Sequence, residues 1–186
     1  ALARLRAALG PIEDTQTLHP TSALGAVLAR DAVAQRSNPP RPNSAVDGYG
    51  FAHAATGDGV QKLPLVQGVA AAGRPFDGTV PTGNAVRILT GAILPEGVDT
   101  VVLEEDCAAN ATHIAFDGPA KFRANARAAG EDMKAGEVAV RAGQRLRAPD
   151  LALLSALNIA EVTVFRPLRV GVLSTGDEII AAAGQP

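Results

Sequence analysis

Asn38-Pro39-Pro40-Arg41-Pro42-Asn43-Ser44-Ala45-Val46-Asp47-Gly48-Tyr49-Gly50 is the stretch around which the chain is organised. Three prolines fix φ on the way in, so the backbone there is extended rather than helical. Asp47-Gly48 reads as a turn, because glycine accepts a positive φ that other residues resist. A stiff approach followed by a carboxylate on a turn holds an acid still at a surface. The same residues also read as a hairpin corner with a solvated Asp. The surrounding sequence has to decide between the two.

A chain of 186 residues suggests one or two domains. Its 47% hydrophobic share is ample for a core, yet aromatics make up only 3%, so Ala and Val must fill most of it. With 19 Gly and 13 Pro, turns must be frequent. The formal net charge of −2 shows no excess of basic residues, so neither a nucleic-acid groove nor an anionic membrane is expected as partner. Cys107 is the only cysteine, which excludes intrachain disulfides and a cysteine-based zinc site and fits a cytoplasmic protein. No apolar run approaches membrane-spanning length, and no signal peptide is evident in a chain that does not start with Met.

In chain order, residues 1–9 predict a short helix with Leu2, Leu5 and Leu9 on one face, stopped by Gly10-Pro11. Pro20 opens a helical turn over 20–24, and 26–33 reads as extended. From Phe51 to about Gly130 the pattern is β, with candidate strands at 63–69, 80–89, 100–104 and 113–116 separated by turn residues. That spacing predicts a small barrel or sandwich, inserted into the fold around it. Short extended pieces fill 130–146. Pro149 opens the best helix, whose apolar face is Leu151, Leu154, Ala156 and Leu157, with Asn158 at the stop. Residues 161–165 read as a strand. Leu168–Leu173 reads as a strand buried on both faces of a parallel sheet. One such strand cannot form a sheet, so the sequence is expected to be the front part of a longer protein.

Four polar stretches stand beside glycine: Ser44–Tyr49, Arg87–Ala92, Asn125–Asp132 and Ser174–Glu178. Asp47, Asp132, Asp177 and Glu178 are hard oxygen donors suited to Mg²⁺. Arg87 and Arg127 can pair with phosphate or an oxyanion. Each stretch, taken singly, also reads as a capped polar surface turn. Other templates fail: there is no phosphate-binding G-x-x-x-x-G-K-[ST], no G-x-G-x-x-G after the 168–173 strand and no H-E-x-x-H. His19, His53 and His113 lack metal-ligand spacing. Cys107 follows Glu104-Glu105-Asp106, and that negative charge raises a thiol pKa rather than activating it.

Taken together and in order, the stretches resemble the molybdopterin molybdenumtransferase family, which includes bacterial MoeA and the E domain of gephyrin. Asn43–Gly50 resembles the signature N-S-A-M-D-G-Y-A; Arg87–Ala92, with Leu94-Pro95-Glu96-Gly97 and Asp99–Val102, resembles R-I-x-T-G-A-x-x-P-x-G-x-D-x-V-V. Asn125–Asp132 resembles N-x-R-x-x-G-E-D, and Ser174–Glu178 resembles S-T-G-D-E. Val46, Gly50, Arg41-Pro42 and Asn158 depart from the pattern.

The resemblance implies an α+β, multi-domain, elongated homodimer. An extended mixed α/β first domain would comprise residues 1–45 and 131–167, a β-rich second domain 46–130, and the start of an α/β molybdopterin-binding domain 168–186. It implies insertion of molybdate into adenylylated molybdopterin with release of AMP, dependent on Mg²⁺, with a molybdopterin adenylyltransferase as upstream partner. By motif position it implies Asp47, Thr90, Asp132 and Glu178 as catalytic residues. Arg127, Ser174, Thr175 and Asp177 would bind substrate, and Asp47 and Glu178 would bind metal. This portion alone would not catalyse insertion. The alternative implied by gephyrin is a non-catalytic scaffold or protein-interaction module.

Overall fold

The computed structural model describes residues 2–172 and Gly176. Strands dominate and helices are few. Helix α1 spans Leu2–Ala8, and α2 spans Ala148–Ala156. The strands are β1 (Thr15–Leu18), β2 (Ala32–Val33), β3 (Asn43–Ser44), β4 (Gly48–Phe51), β5 (Gly59–Ala70), β6 (Ala85–Ile88) and β7 (Thr100–Leu103). They continue with β8 (Ala108–Ala109), β9 (His113–Gly118), β10 (Ala126–Arg127), β11 (Val138–Val140) and β12 (Val162–Phe165).

Six strands form one sheet in the order β7-β4-β6-β5-β9-β8. All neighbours run antiparallel except β5 with β6. The 12-residue β5 is the hinge of this sheet. Its first half, Gly59–Pro64, pairs with β9, and its second half pairs with β6 after a register irregularity between Leu65 and Val69. That irregularity bends the strand. The sheet curls enough that Phe51 of β4 stacks on Phe116 of β9, with ring centroids 5.1 Å apart. Tyr49, Leu63, Ala85 and Ile114 close the same core. The expected small barrel or sandwich is therefore a single curled sheet.

A separate apolar cluster draws on Ala23, Leu28, Ala34, Val140, Leu146, Leu154, Leu157 and Val164. Here β1 pairs with β12, β2 pairs with β11, and α2 covers the cluster. Asp150 sets the start of α2 by accepting the Arg147 backbone N–H at 2.8 Å. Asn158 ends it with φ 59°, the left-handed stop read from the sequence.

Several expectations change. Residues 80–89 shorten to β6, because Pro81 lacks a ladder donor and Asn84 N–H closes a turn on Pro81 C=O. The 63–69 run lengthens into β5 at both ends. Gly48 is not a turn residue: it opens β4, between β6 and β7. Residues 168–172 lie in no strand, and Leu168, Val170 and Val172 are exposed. Leu173, the last residue of that expected strand, lies outside the described residues.

Candidate functional site

Three of the four polar stretches are interleaved. Asn43-Ser44-Ala45 runs between the other two. On one side, Ser44 N–H donates to Ala92 C=O at 2.9 Å, and Gly91 N–H returns to Ser44 C=O at 2.8 Å. On the other, β3 pairs with β10, so that Asn43 faces Arg127 and Ser44 faces Ala126. Ala45 N–H donates to Asn125 C=O at 2.8 Å. Buried Ser44 folds its hydroxyl onto Val46 C=O at 2.6 Å, which shapes the bend leading to Asp47.

Beyond that bend, Gly48 lies opposite Ile88 on β6 and Leu103 on β7. A Cβ on Gly48 would stand 1.9 Å from Val102 O, so only glycine lets β4 approach β7 this closely. Asp47, just before β4, thereby reaches Thr90, just after β6. One carboxylate oxygen, Oδ1, accepts both Thr90 donors: the backbone N–H at 2.7 Å and the hydroxyl at 2.6 Å. Gly91, at φ 77°, makes the turn that aims both donors at it. The hydroxyl bond, then the backbone bond, hold the Asp47 carboxyl below its ordinary 3.8, with a smaller contribution from the Arg87 charge. Asp47 is exposed, and its Oδ2 accepts no hydrogen bond among the described residues.

The second grouping is built on Arg127. Its Nε donates to Glu131 Oε1 at 3.0 Å and its Nη2 to Asp132 Oδ1. Asn38 Nδ2 donates to Asp132 Oδ2 at 3.3 Å. The Glu131 bond, more than Asp132, holds the guanidinium pKa up, and Arg127 with the Ala128 N–H holds Glu131 below its ordinary value. Between the two groupings, Asn43 Oδ1 is a buried acceptor with no partner among the described residues.

The structure thus brings Asp47 to Thr90 and Arg127 to Asp132. Among the described residues, no side-chain hydrogen bond joins the two pairs. Ser174, Thr175, Asp177 and Glu178 lie outside the described residues. Arg87, read from sequence as an anion-binding candidate, is instead held by Glu104 through two bonds of 2.8 Å. Glu131 and Asn38 were missed as partners: Glu131 stands inside the Asn125–Asp132 stretch, whereas Asn38 is brought to Asp132 only by the fold.

A resident Mg²⁺ fits these residues in part. Oδ2 of Asp47 is one hard oxygen ligand open to a cation, and Mg²⁺ keeps several waters when few carboxylates bind it. Among the described residues, no three His, Cys, Asp or Glu side chains group to hold a metal. A cleft of about 600 Å³, lined by Ile12, Leu18, Leu24, Val27 and Phe165, contains none of the motif residues. Asp47, Thr90 and Asp132 are themselves exposed, so these groups sit on an open surface formed where the sheet meets the returning chain.

The MoeA N-terminal region (domains I and II) family model matches residues 1–158. A molybdopterin molybdenumtransferase of Haemophilus influenzae is 41% identical over 174 residues, covering 92% of this chain and 42% of that protein. One of Synechococcus elongatus is 35% identical over 158 residues, covering 83% and 39%. A solved molybdopterin biosynthesis MoeA protein of Pyrococcus horikoshii superposes with a TM-score of 0.79 at 28% identity, covering 88% of this chain and 42% of that one. The chain thus spans about two fifths of the length of these relatives. The motif order, the curled sheet and these matches agree: the chain belongs to the MoeA N-terminal family, whose model spans domains I and II.

Proposed function

We propose that this chain is part of a molybdenumtransferase that inserts molybdate into adenylylated molybdopterin and releases AMP. The observation that carries this reading is the Asp47–Thr90 pair, a carboxylate with one oxygen fixed by two donors and the other without a partner among the described residues. A carboxylate ionised and oriented before substrate arrives pays little reorganisation when charge develops. Mg²⁺, when bound, would neutralise charge on phosphate oxygens and so favour departure of AMP. Asp47 would supply it a ligand, with Glu178 as a second. Thr90 fixes the Asp47 rotamer. Arg127 keeps Nη1 for a phosphate oxygen while Glu131 and Asp132 hold the rest of the guanidinium. Ser174, Thr175 and Asp177 would complete the substrate contacts.

The same proposal divides the chain into residues 1–45 with 131–167, then 46–130, then 168–186. The two separate apolar clusters support the first boundary. A homodimer would unite the Asp47 and Asp132 groupings, or bring one to Glu178 of the partner copy. The upstream partner would be the enzyme that adenylylates molybdopterin. The test is AMP release by the full-length protein: it should require both Mg²⁺ and molybdate. Release that is indifferent to molybdate overturns the reading.

A further inference from the structure

We propose that Arg87 and Glu104 are positioning residues for the Asp47–Thr90 pair, through an ion pair that locks together the ends of β6, β4 and β7. This deepens the proposed function and rests on it for its catalytic consequence.

Arg87 lies opposite Tyr49 on β4, and Tyr49 lies opposite Val102 on β7. Directly opposed residues share a face, and so do residues two apart along a strand. That alternation places Arg87 and Tyr49 on one face, with Glu104 following Val102 and Asp47 preceding Tyr49. Arg87 Nη1 and Nη2 each meet a Glu104 carboxylate oxygen at 2.8 Å, and Nη1 also reaches the Tyr49 hydroxyl at 3.2 Å. Glu104 is tied a second time, because its backbone N–H donates to Asp47 C=O at 3.1 Å. Arg87 is three residues before Thr90. The pair therefore fixes the strand that delivers the donors and the backbone that carries the acceptor.

The side chains of Arg87 and Glu104 remain 36% and 43% exposed. An ion pair this solvated adds little net stability. Its planar two-point geometry still fixes direction, which a point charge would not. Burial does not account for a bidentate pair at this place, whereas orientation of Asp47 and Thr90 does.

The test uses hydrogen exchange of the full-length protein, read at the Thr90 amide, which donates to Asp47 Oδ1. Arg87→Met should speed that exchange about tenfold, and Arg87→Lys should restore part of the protection. Glu104→Gln keeps the shape and should act like Arg87→Met. The Leu157 amide, bonded to Leu153 C=O at 3.0 Å in the other cluster, should not change. In the AMP-release assay kcat should fall about tenfold, with KM for the nucleotide substrate within twofold. Thr90 exchange unchanged within twofold in both Arg87→Met and Glu104→Gln overturns the proposal. Equal acceleration at Leu157 also overturns it, since the pair would then only hold the fold. A parent protein that releases no AMP removes the functional reading alone, because the exchange result still decides the positioning role.

Discussion

Thr90 gives both of its donors to a single oxygen of Asp47, its amide at 2.7 Å and its hydroxyl at 2.6 Å. The two residues are 43 positions apart in sequence. They meet because β4 and β6 pair antiparallel, with Gly48 opposite Ile88. Asp47 then has one oxygen committed to Thr90 and one that, among the described residues, is open to solvent or ligand.

Removing the hydroxyl should expose that division of labour. Thr90→Val keeps the backbone donor and loses only the side-chain bond. AMP release in the full-length protein should fall roughly tenfold, the scale of one hydrogen bond to a charged group. Thr90→Ser should retain most of the rate. A loss in Thr90→Ser with Thr90→Val at the parental rate would mean that the methyl contact, not the hydroxyl, matters.

Gly48→Ala tests why glycine follows Asp47. The new methyl would collide with the Val102 carbonyl, and Glu104 N–H beside it is also fixed. Backbone cannot move aside as a flexible side chain can. The cost should be about 2 kcal/mol or more, seen as a lower urea midpoint. An unchanged midpoint would show that β4 has room to shift.

Phe51→Ala probes the curled sheet. Phe51 is fully buried and stacked on Phe116 across the core. Truncation should cost about 3–5 kcal/mol. A double-mutant cycle with Phe116→Leu should leave a coupling of about 1 kcal/mol from the stacked pair. Additive effects would place the two rings in independent environments.

Cys107 should react slowly. Burial first, then Asp106 and Glu104, push its thiol up to about 11. At pH 8 its alkylation by iodoacetamide should run roughly two orders of magnitude below that of an exposed cysteine, because the thiolate is the nucleophile. The charge effect was legible in Glu104-Glu105-Asp106, whereas the larger burial effect needed the fold.

Acid should weaken the start of α2. The Arg147 side chain, then its backbone N–H, hold the Asp150 carboxyl below its ordinary 3.8. Its folded pKa is thus lower than its unfolded one. The stabilisation is present above the unfolded value and is lost as pH falls through the folded one. Asp150→Asn should lower the urea midpoint at pH 7, and the gap to the parent should narrow below about pH 4. A gap that is constant with pH would assign the effect to shape rather than charge.

The sequence made α2, β7, β9 and the left-handed stop at Asn158 readable, since each carries its own periodicity or cap. It did not reveal β4. Gly48 looks like a turn residue, yet Val102 O crowds the space a side chain would occupy there, as Val98 does at Gly50. Close approach and turning both favour glycine, and only the neighbours distinguish them. The motifs named Asp47 and Thr90 separately, and pairing across β4 and β6 joined them. Arg87 misled for the same reason: its partner Glu104 is 17 residues away in sequence and beside it only through β7.

The most direct measurement compares the full-length parent with Asp47→Asn in magnesium- and molybdate-dependent AMP release. The amide still accepts from Thr90 but carries no charge. The rate should be lower by about 10²-fold or more, with only a small fall in the urea midpoint at pH 7, because the charge that the Thr90 bonds favour is lost. Release at the parental rate would contradict the role proposed for Asp47.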